Sequence, residues 1–391
     1  MDTIELFAGG GGLALGLHGA GFSPVALVER DADSCQTLRT NWLGSMGKHL
    51  SLFDTDIRHV DFRQWQDRVQ LVSGGPPCQP FSIGGKHRGY HDERDMFPRA
   101  VHVVRTVRPK AFIFENVRGL LRKSFAKYFA YVLLQLQYPE LTRQNADTWT
   151  EHHAQLEEHH TAGVERGLRY RVVFQKVNAA DFGVPQHRER VVIVGFRWDI
   201  QERWSFPVPT HTQGALEAAK WLTGVYWDEH HIPRSRRPAL PTNMERALGH
   251  IDTLPLSARW RTVRDALTGL PDPRLPEAVL FPNHKFQPGA RQYPGHTGSD
   301  IDSAAKTLKA GDHGVPGGEN MLTFRDGSVR YFTVRESARL QTFPDWYVFP
   351  SSWTESMRQI GNAVPVTLAK VIGATVARTL RAQERRQARN Q

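Results

Sequence analysis

A short apolar strand that runs into an unbroken glycine run constrains this chain more than any other feature: Thr3-Ile4-Glu5-Leu6-Phe7, then Ala8-Gly9-Gly10-Gly11-Gly12. Leu13, Leu15 and Leu17 with Ala14 and Ala20 predict a short helix next, and Pro24 to Val28 a second strand that ends in Glu29. Strand, glycine loop, helix and strand make a βαβ unit, in which glycines let the backbone approach a ligand where a side chain would collide. Glycine runs also serve ordinary turns. An acidic residue nearly twenty positions after the loop, however, is placed to reach ribose hydroxyls, and the two features together point to a nucleoside cofactor.

The alternation continues. A helix is expected from about Asp31 to Trp42, capped by Asp31 or Asp33, with Cys35 packed in the core. A strand over His49 to Phe53 leads to Asp54-Thr55-Asp56-Ile57. The apolar run Val69 to Val72 stops at Gly74-Gly75-Pro76-Pro77, so Cys78 falls just past a strand end, where open α/β sheets carry their ligands and reactive groups. The prolines stiffen that turn and aim the thiol, although a lone cysteine is ordinarily a small buried hydrophobe. The glycine-rich, charged stretch Ile83 to Asp95 has the composition of a mobile flap. A helix over Met96 to Val107 and a strand over Ala111 to Phe114, ending in Glu115-Asn116-Val117, bring the alternation to five units and fix the class as doubly wound α/β.

Beyond that point the rhythm changes. The stretch from Tyr138 to Gly167 is polar and helical in pattern, with His152-His153 and His159-His160 seven apart. No carboxylate or cysteine completes a metal set, so a solvated helical insertion is expected and no metal. Strands resume at Tyr170 to Val177 and Val191 to Phe196. From Trp198 to about Tyr331 the composition shifts to Pro, Gly, His, Trp and Arg, including Arg234-Ser235-Arg236-Arg237 and the glycine-rich run from Gly311 to Gly318. This predicts a separate irregular domain, suited to phosphates and base edges or simply loop-rich and solvated. A short helix over Val334 to Arg339 follows, then Gln359-Ile360-Gly361-Asn362-Ala363-Val364-Pro365 opens a helix through about Leu380, with a frayed arginine-rich tail. Lysine and arginine number 50 against 40 aspartate and glutamate, a formal charge of +10 that favours a polyanionic partner. Two cysteines, no secretory leader and no window of eighteen apolar residues lead us to expect a reducing, cytoplasmic setting and no membrane.

Taken in order, these segments resemble the DNA (cytosine-5)-methyltransferases of bacterial restriction-modification systems over nearly the whole length. The resemblance is carried by Phe7-Ala8-Gly9-Gly10-Gly11, Glu29, Asp56-Ile57, Pro77-Cys78-Gln79, Glu115-Asn116-Val117, Gln186-His187-Arg188-Glu189-Arg190, Arg335-Glu336-Ser337-Ala338-Arg339 and Gly361-Asn362-Ala363-Val364. It implies a Rossmann-like S-adenosylmethionine-dependent domain, 1–198 plus 351–391, a smaller target-recognition domain, 199–334, and a hinge, 335–350. It implies that Cys78 adds to carbon 6 of cytosine and that Glu115, beside Asn116, is the acid at nitrogen 3. Arg188 matches the position that binds the carbonyl side of the base, with Arg190 its neighbour in the motif.

S-adenosylmethionine, leaving as S-adenosylhomocysteine, would meet Phe7, Gly9, Gly11, Glu29, Asp56, Ile57, Pro77, Asn362 and Val364. Double-stranded DNA is the implied partner, with the target cytosine rotated out of the stack. A monomer, a bacterial or phage origin with nucleoid association, and a cognate endonuclease encoded nearby are the accompanying expectations. Arg30 departs from the pattern, since a large apolar residue commonly follows the acidic residue there. Two rivals stay open: a transfer-RNA cytosine methyltransferase, which shares the scaffold, and a DNA-binding regulator without catalysis. A nicotinamide dehydrogenase does not account for the Pro-Pro-Cys and Glu-Asn-Val elements.

Overall fold

A computed structural model of the chain describes residues 1–43, 50–77, 95–144, 147–163, 167–241, 256–294, 297–310 and 320–389. Cys78 and nearly all of the expected flap lie outside the described residues, as does the run from Gly311 to Gly318. The contacts divide the chain into two compact units: Met1–Val177 with Glu189–Pro207 and Ala369–Gln391, and Asn178–Arg188 with Val208–Leu368.

The first unit is built on β1 (Asp2–Leu6), α1 (Gly12–Gly19), β2 (Ser23–Glu29), α2 (Ala32–Leu38), β3 (Ser51–Asp54), β4 (Leu71–Gly74), α3 (Phe97–Val107), β5 (Ala111–Val117), α4 (Ala126–Gln137), α5 (Trp149–Thr161), β6 (Tyr170–Asn178) and β7 (Glu189–Arg197). The strands form one seven-stranded sheet in the order β3-β2-β1-β4-β5-β7-β6. The pairs from β3 across to β5 are parallel, and β7 runs antiparallel to β5. Parallel strands covered on both faces need near-continuous apolar sequence. Every residue of β4 is accordingly buried, as are the first six of β5. The strand order reverses between β1 and β4, so a crevice opens at their carboxyl ends. Asp31 supplies the cap of α2, its carboxylate accepting from the Ser34 amide at 2.9 Å.

The insertion is less solvated than its composition implies. His152 and Leu156 of α5 are buried, and Thr148 closes a capping box with Glu151 at its start. Two tyrosines seven apart, Tyr131 and Tyr138, meet the two histidine pairs. The Tyr131 hydroxyl lies 2.9 Å from His152 Nδ1, and the Tyr138 hydroxyl 2.8 Å from His160 Nδ1. The histidine pattern is therefore a packing register between α4 and α5. No group of three metal-ligating side chains occurs among the described residues.

The chain end also differs from expectation. Residues 359–362 close one helix, Trp353–Asn362, and a second runs over Val366–Arg389, well past Leu380. Pro365 lacks the amide that would continue the first helix. Contrary to the expectation from composition, the segment Trp353–Arg389 contains a stretch long and apolar enough to cross a membrane, but 67% of that stretch is buried inside the protein.

The second unit is irregular, as expected: short helices at Gln213–Trp221, Val225–Glu229, Val263–Leu267 and Val334–Leu340, and a three-stranded sheet of Ser299–Asp300, Met321–Thr323 and Val329–Tyr331. Its polar centre is Asp302, which accepts from the Tyr226 hydroxyl at 2.8 Å and is paired with Arg264 and Arg325. Residues 178–188 and 351–368, expected with the catalytic lobe, group here instead. Arg188 ties the two segments together, its guanidinium donating to the carbonyls of Gly361 and Ala363, and the expected hinge belongs to the same core: Arg335 is fully buried and donates to the carbonyls of Pro282, Pro344 and Tyr347.

Candidate active site

The glycine loop adopts the backbone its sequence allows. Gly9 and Gly11 have φ of 51° and 80°, in the left-handed region, and Gly11 caps α1. Phe7, at 56°, shares that region although it has a side chain, a conformation that costs energy and marks a shaped turn. Glu29 ends β2 as an acceptor fixed in place. One oxygen takes the Gly9 amide at 2.8 Å, and the other takes the amides of Arg30 and Asp31, each at 2.8 Å.

Beside it opens a cleft of about 150 Å³ lined by Phe7, Glu29, Asp56, Ile57 and Pro77, five of the residues expected to hold the cofactor, together with Arg30 and Met96. Asp56 accepts from Arg58 Nε at 2.8 Å and from Arg30 at 3.2 Å, and these guanidiniums, Arg58 first, hold its carboxyl well below the usual range. Apolar walls with two fixed carboxylates suit a nucleoside whose hydroxyls and amine donate, and thus fit S-adenosylmethionine. Cys35 stays in the core, its thiol donating to the Glu29 carbonyl at 3.4 Å and its pKa pushed well up by burial, so it is no nucleophile.

A second group of residues gathers where β4 and β5 end. Asn116 Nδ2 donates to the Pro76 carbonyl at 2.9 Å, and the Met96 amide to the Pro77 carbonyl at 3.1 Å, fixing the turn that leads to Cys78. In the antiparallel register Val117 faces Arg190, so Glu115 and Arg190 are diagonal neighbours. Their side chains meet: Arg190 Nε lies 2.7 Å from Glu115 Oε1, and both are about nine-tenths buried.

The family model of C-5 cytosine-specific DNA methylases matches residues 1–138 and 150–378. The chain belongs to that family. Relatives of this methylase include the Type II methyltransferase M.PspPI of Psychrobacter sp., 31% identical over 97% of this chain and 80% of its own length. Another is M.NgoMIV of Neisseria gonorrhoeae, 29% identical over 97% and 98%. Among solved structures it resembles the Dnmt2 methyltransferase of S. pombe, 18% identical, with a TM-score of 0.55 over 98% of this chain and 99% of that one. It also resembles the methyltransferase EhMeth of Entamoeba histolytica, 12% identical, with a TM-score of 0.57 over 97% and 98%. These two likenesses show the Rossmann-like fold alone.

One expectation for the methylase needs correction. Arg188 is fully buried, and its guanidinium donates to the carbonyls of Leu308 at 3.2 Å, Gly361 at 2.8 Å and Ala363 at 2.9 Å. It precedes β7, and its own amide and carbonyl are held by Asn178 and Ala179. A side chain so engaged is a structural clamp; the contact to Glu115 belongs to Arg190. Gln186, also fully buried, accepts from the Leu308 amide at 3.0 Å in the same clamp. Asn362 and Val364 fall in the second unit, Asn362 exposed at a helix end and Val364 buried in the turn before Pro365. Sequence reasoning missed Met96 as a cleft residue and saw Arg30 only as a departure. Arg30 is tied to Asp56, and the basic residue one position past the strand-end acid was the available signal.

Proposed function

We propose that this chain methylates carbon 5 of cytosine within a specific site of double-stranded DNA, by the DNA (cytosine-5-)-methyltransferase reaction, through a covalent adduct between Cys78 and carbon 6. The observation that carries the reading is the Glu115–Arg190 pair beside the fixed Pro76-Pro77 turn. Cytosine presents nitrogen 3 and its carbonyl oxygen side by side, both acceptors. A carboxylic acid and a guanidinium held next to each other match those two atoms. Arg190 donates to the carbonyl, and Glu115 delivers a proton to nitrogen 3 as thiolate addition at carbon 6 pushes electrons onto the ring. Arg190 also supplies positive charge near the strand end that leads to Cys78, which favours the thiolate.

The residues that would hold S-adenosylmethionine are Phe7, Glu29, Asp56, Ile57 and Pro77, which line one cleft of the first unit. When bound it supplies the electrophilic methyl group. Glu29 orients the ribose through an acceptor already ordered by three main-chain amides. The second unit, with its exposed Arg234 and Arg236, reads the duplex and holds the target cytosine outside the stack. We read the working form as a monomer in the bacterial cytoplasm on chromosomal DNA. The Type II names of its relatives support a partner endonuclease.

The test is a duplex carrying 5-fluorocytosine at the target. Fluorine blocks loss of the carbon 5 substituent, so the protein with S-adenosylmethionine should form a DNA adduct that survives denaturing electrophoresis. Cys78→Ser should form none. An adduct of equal yield in that variant would refute the role of Cys78.

A further inference from the structure

The insertion that carries α5 borders a second, open cavity whose lining shares no residue with the cleft beside Glu29. It measures about 490 Å³ and lies between α3, α4 and the segment entering α5, within the size range of small-molecule sites. Its floor is aromatic. Tyr131 and Trp149 have ring centroids 5.7 Å apart, and Tyr128 and Trp149 6.5 Å. The hydroxyls of this floor are already spent, Tyr131 on His152 and Tyr128 on Asp95. One donor is not: Gln135 is 8% exposed, and its Nε2 is buried with no hydrogen-bond partner among the described residues. A buried amide hydrogen left without an acceptor is costly, and in a cavity wall it marks where an acceptor belongs.

The rim is cationic. Arg99, Arg105 and Arg143 line it, and none has a carboxylate in ion-pair range among the described residues. The nearby Glu140 is taken by Arg108 at 3.0 Å, and the one carboxylate in the lining, Asp95, is held by Tyr128. Arg105 donates to His102 Nδ1 at 2.8 Å, which leaves that imidazole neutral with its proton on Nε2. Burial first, then Arg105 and Arg99, push the His102 pKa down.

From the unpaired arginine rim, the aromatic floor and the orphaned Gln135 amide, we propose that this cavity binds a nucleotide, separately from the cofactor. The phosphate sits on Arg99, Arg105 and Arg143, the base packs against Trp149 and Tyr131, and Gln135 Nε2 donates to a ring acceptor. The nucleotide is either free or part of a DNA strand held away from the reacting cytosine, and the chemistry of recognition is the same.

Isothermal titration of the full-length protein, with S-adenosylmethionine present to fill the cofactor cleft, separates the possibilities. The probes are adenosine monophosphate, a 5′-phosphorylated single-stranded tetranucleotide and inorganic phosphate. The proteins are wild type, Arg99→Ala/Arg143→Ala and Gln135→Leu, each checked for an unchanged thermal midpoint. The expected result is saturable binding of one or both nucleotide probes, at least tenfold weaker in the double variant. Gln135→Leu should weaken nucleotide and leave inorganic phosphate unaffected. Binding of the monophosphate identifies a free ligand, and binding of the tetranucleotide alone identifies a DNA strand. Absence of saturable binding at millimolar probe, nucleotide binding unchanged in the double variant, or phosphate binding as tightly as nucleotide would each overturn the proposal.

Discussion

At the scale of single residues, the arginines two apart in the Gln186–Arg190 motif have opposite duties. Arg190 meets Glu115, whereas Arg188 spends its guanidinium on main-chain carbonyls. Arg190→Ala should lower turnover on DNA by about a hundredfold or more, the loss typical of one preorganised donor, with S-adenosylmethionine affinity unchanged by calorimetry. Arg188→Ala should instead lower stability by about 2–4 kcal/mol, since it strands buried carbonyls, as urea unfolding would report. Glu5, on β1, is 1% exposed, and burial pushes its pKa up to about 8, partly offset by hydrogen bonds from the Ala14 amide and the Ser73 hydroxyl. Its unfolded value is near 4.5. Between these limits the folded protein keeps a proton that the unfolded chain has released, so stability should fall as pH rises from about 4.5 to about 8 and level off above. Urea unfolding across that window should show the decline in the wild type and lose this component in Glu5→Gln; an identical slope in both would show that Glu5 is ionised in the fold.

At the scale of elements, legibility followed the strength of the local signal. The strands β1, β2, β4 and β5 were readable because buried parallel strands must be short apolar runs; Glu29 ends β2, whereas β5 runs two residues past Glu115 to Val117, further than its apolar run suggests. The gathering of Phe7, Glu29, Asp56, Ile57 and Pro77 around one cleft was readable for the same reason. The break at Ala363-Val364-Pro365 was visible in the proline but assigned to a helix start, because Gly361-Asn362 was not seen as a helix end. The histidine pattern of α5 could not be resolved from sequence, since nothing local says that Tyr131 and Tyr138 lie opposite. Nor could the different fates of Arg188 and Arg190, which depend on carbonyls more than a hundred residues away. Gly361 has its own requirement: a Cβ there would lie 2.5 Å from the Ala310 nitrogen. Gly361→Ala should therefore lower the unfolding midpoint of the chain, whereas Thr148→Ala, which removes only the α5 cap, should cost about 1 kcal/mol.

At the scale of the whole molecule, an excess of ten positive charges and an irregular second unit accompany a Rossmann-like sheet that carries the Glu115–Arg190 pair. Binding to duplex DNA should weaken linearly in log affinity against log salt, because phosphate contacts release counterions; a flat salt dependence would exclude the duplex as the partner. The central claim is transfer to cytosine in DNA, and bisulfite sequencing tests it most directly. Purified protein is incubated with S-adenosylmethionine and plasmid, and separately with a transfer-RNA pool. Protected cytosines in one short recurring plasmid context, and none with Cys78→Ser, are the predicted result. Unprotected plasmid alongside a modified position in RNA, or no modification in either, would contradict it.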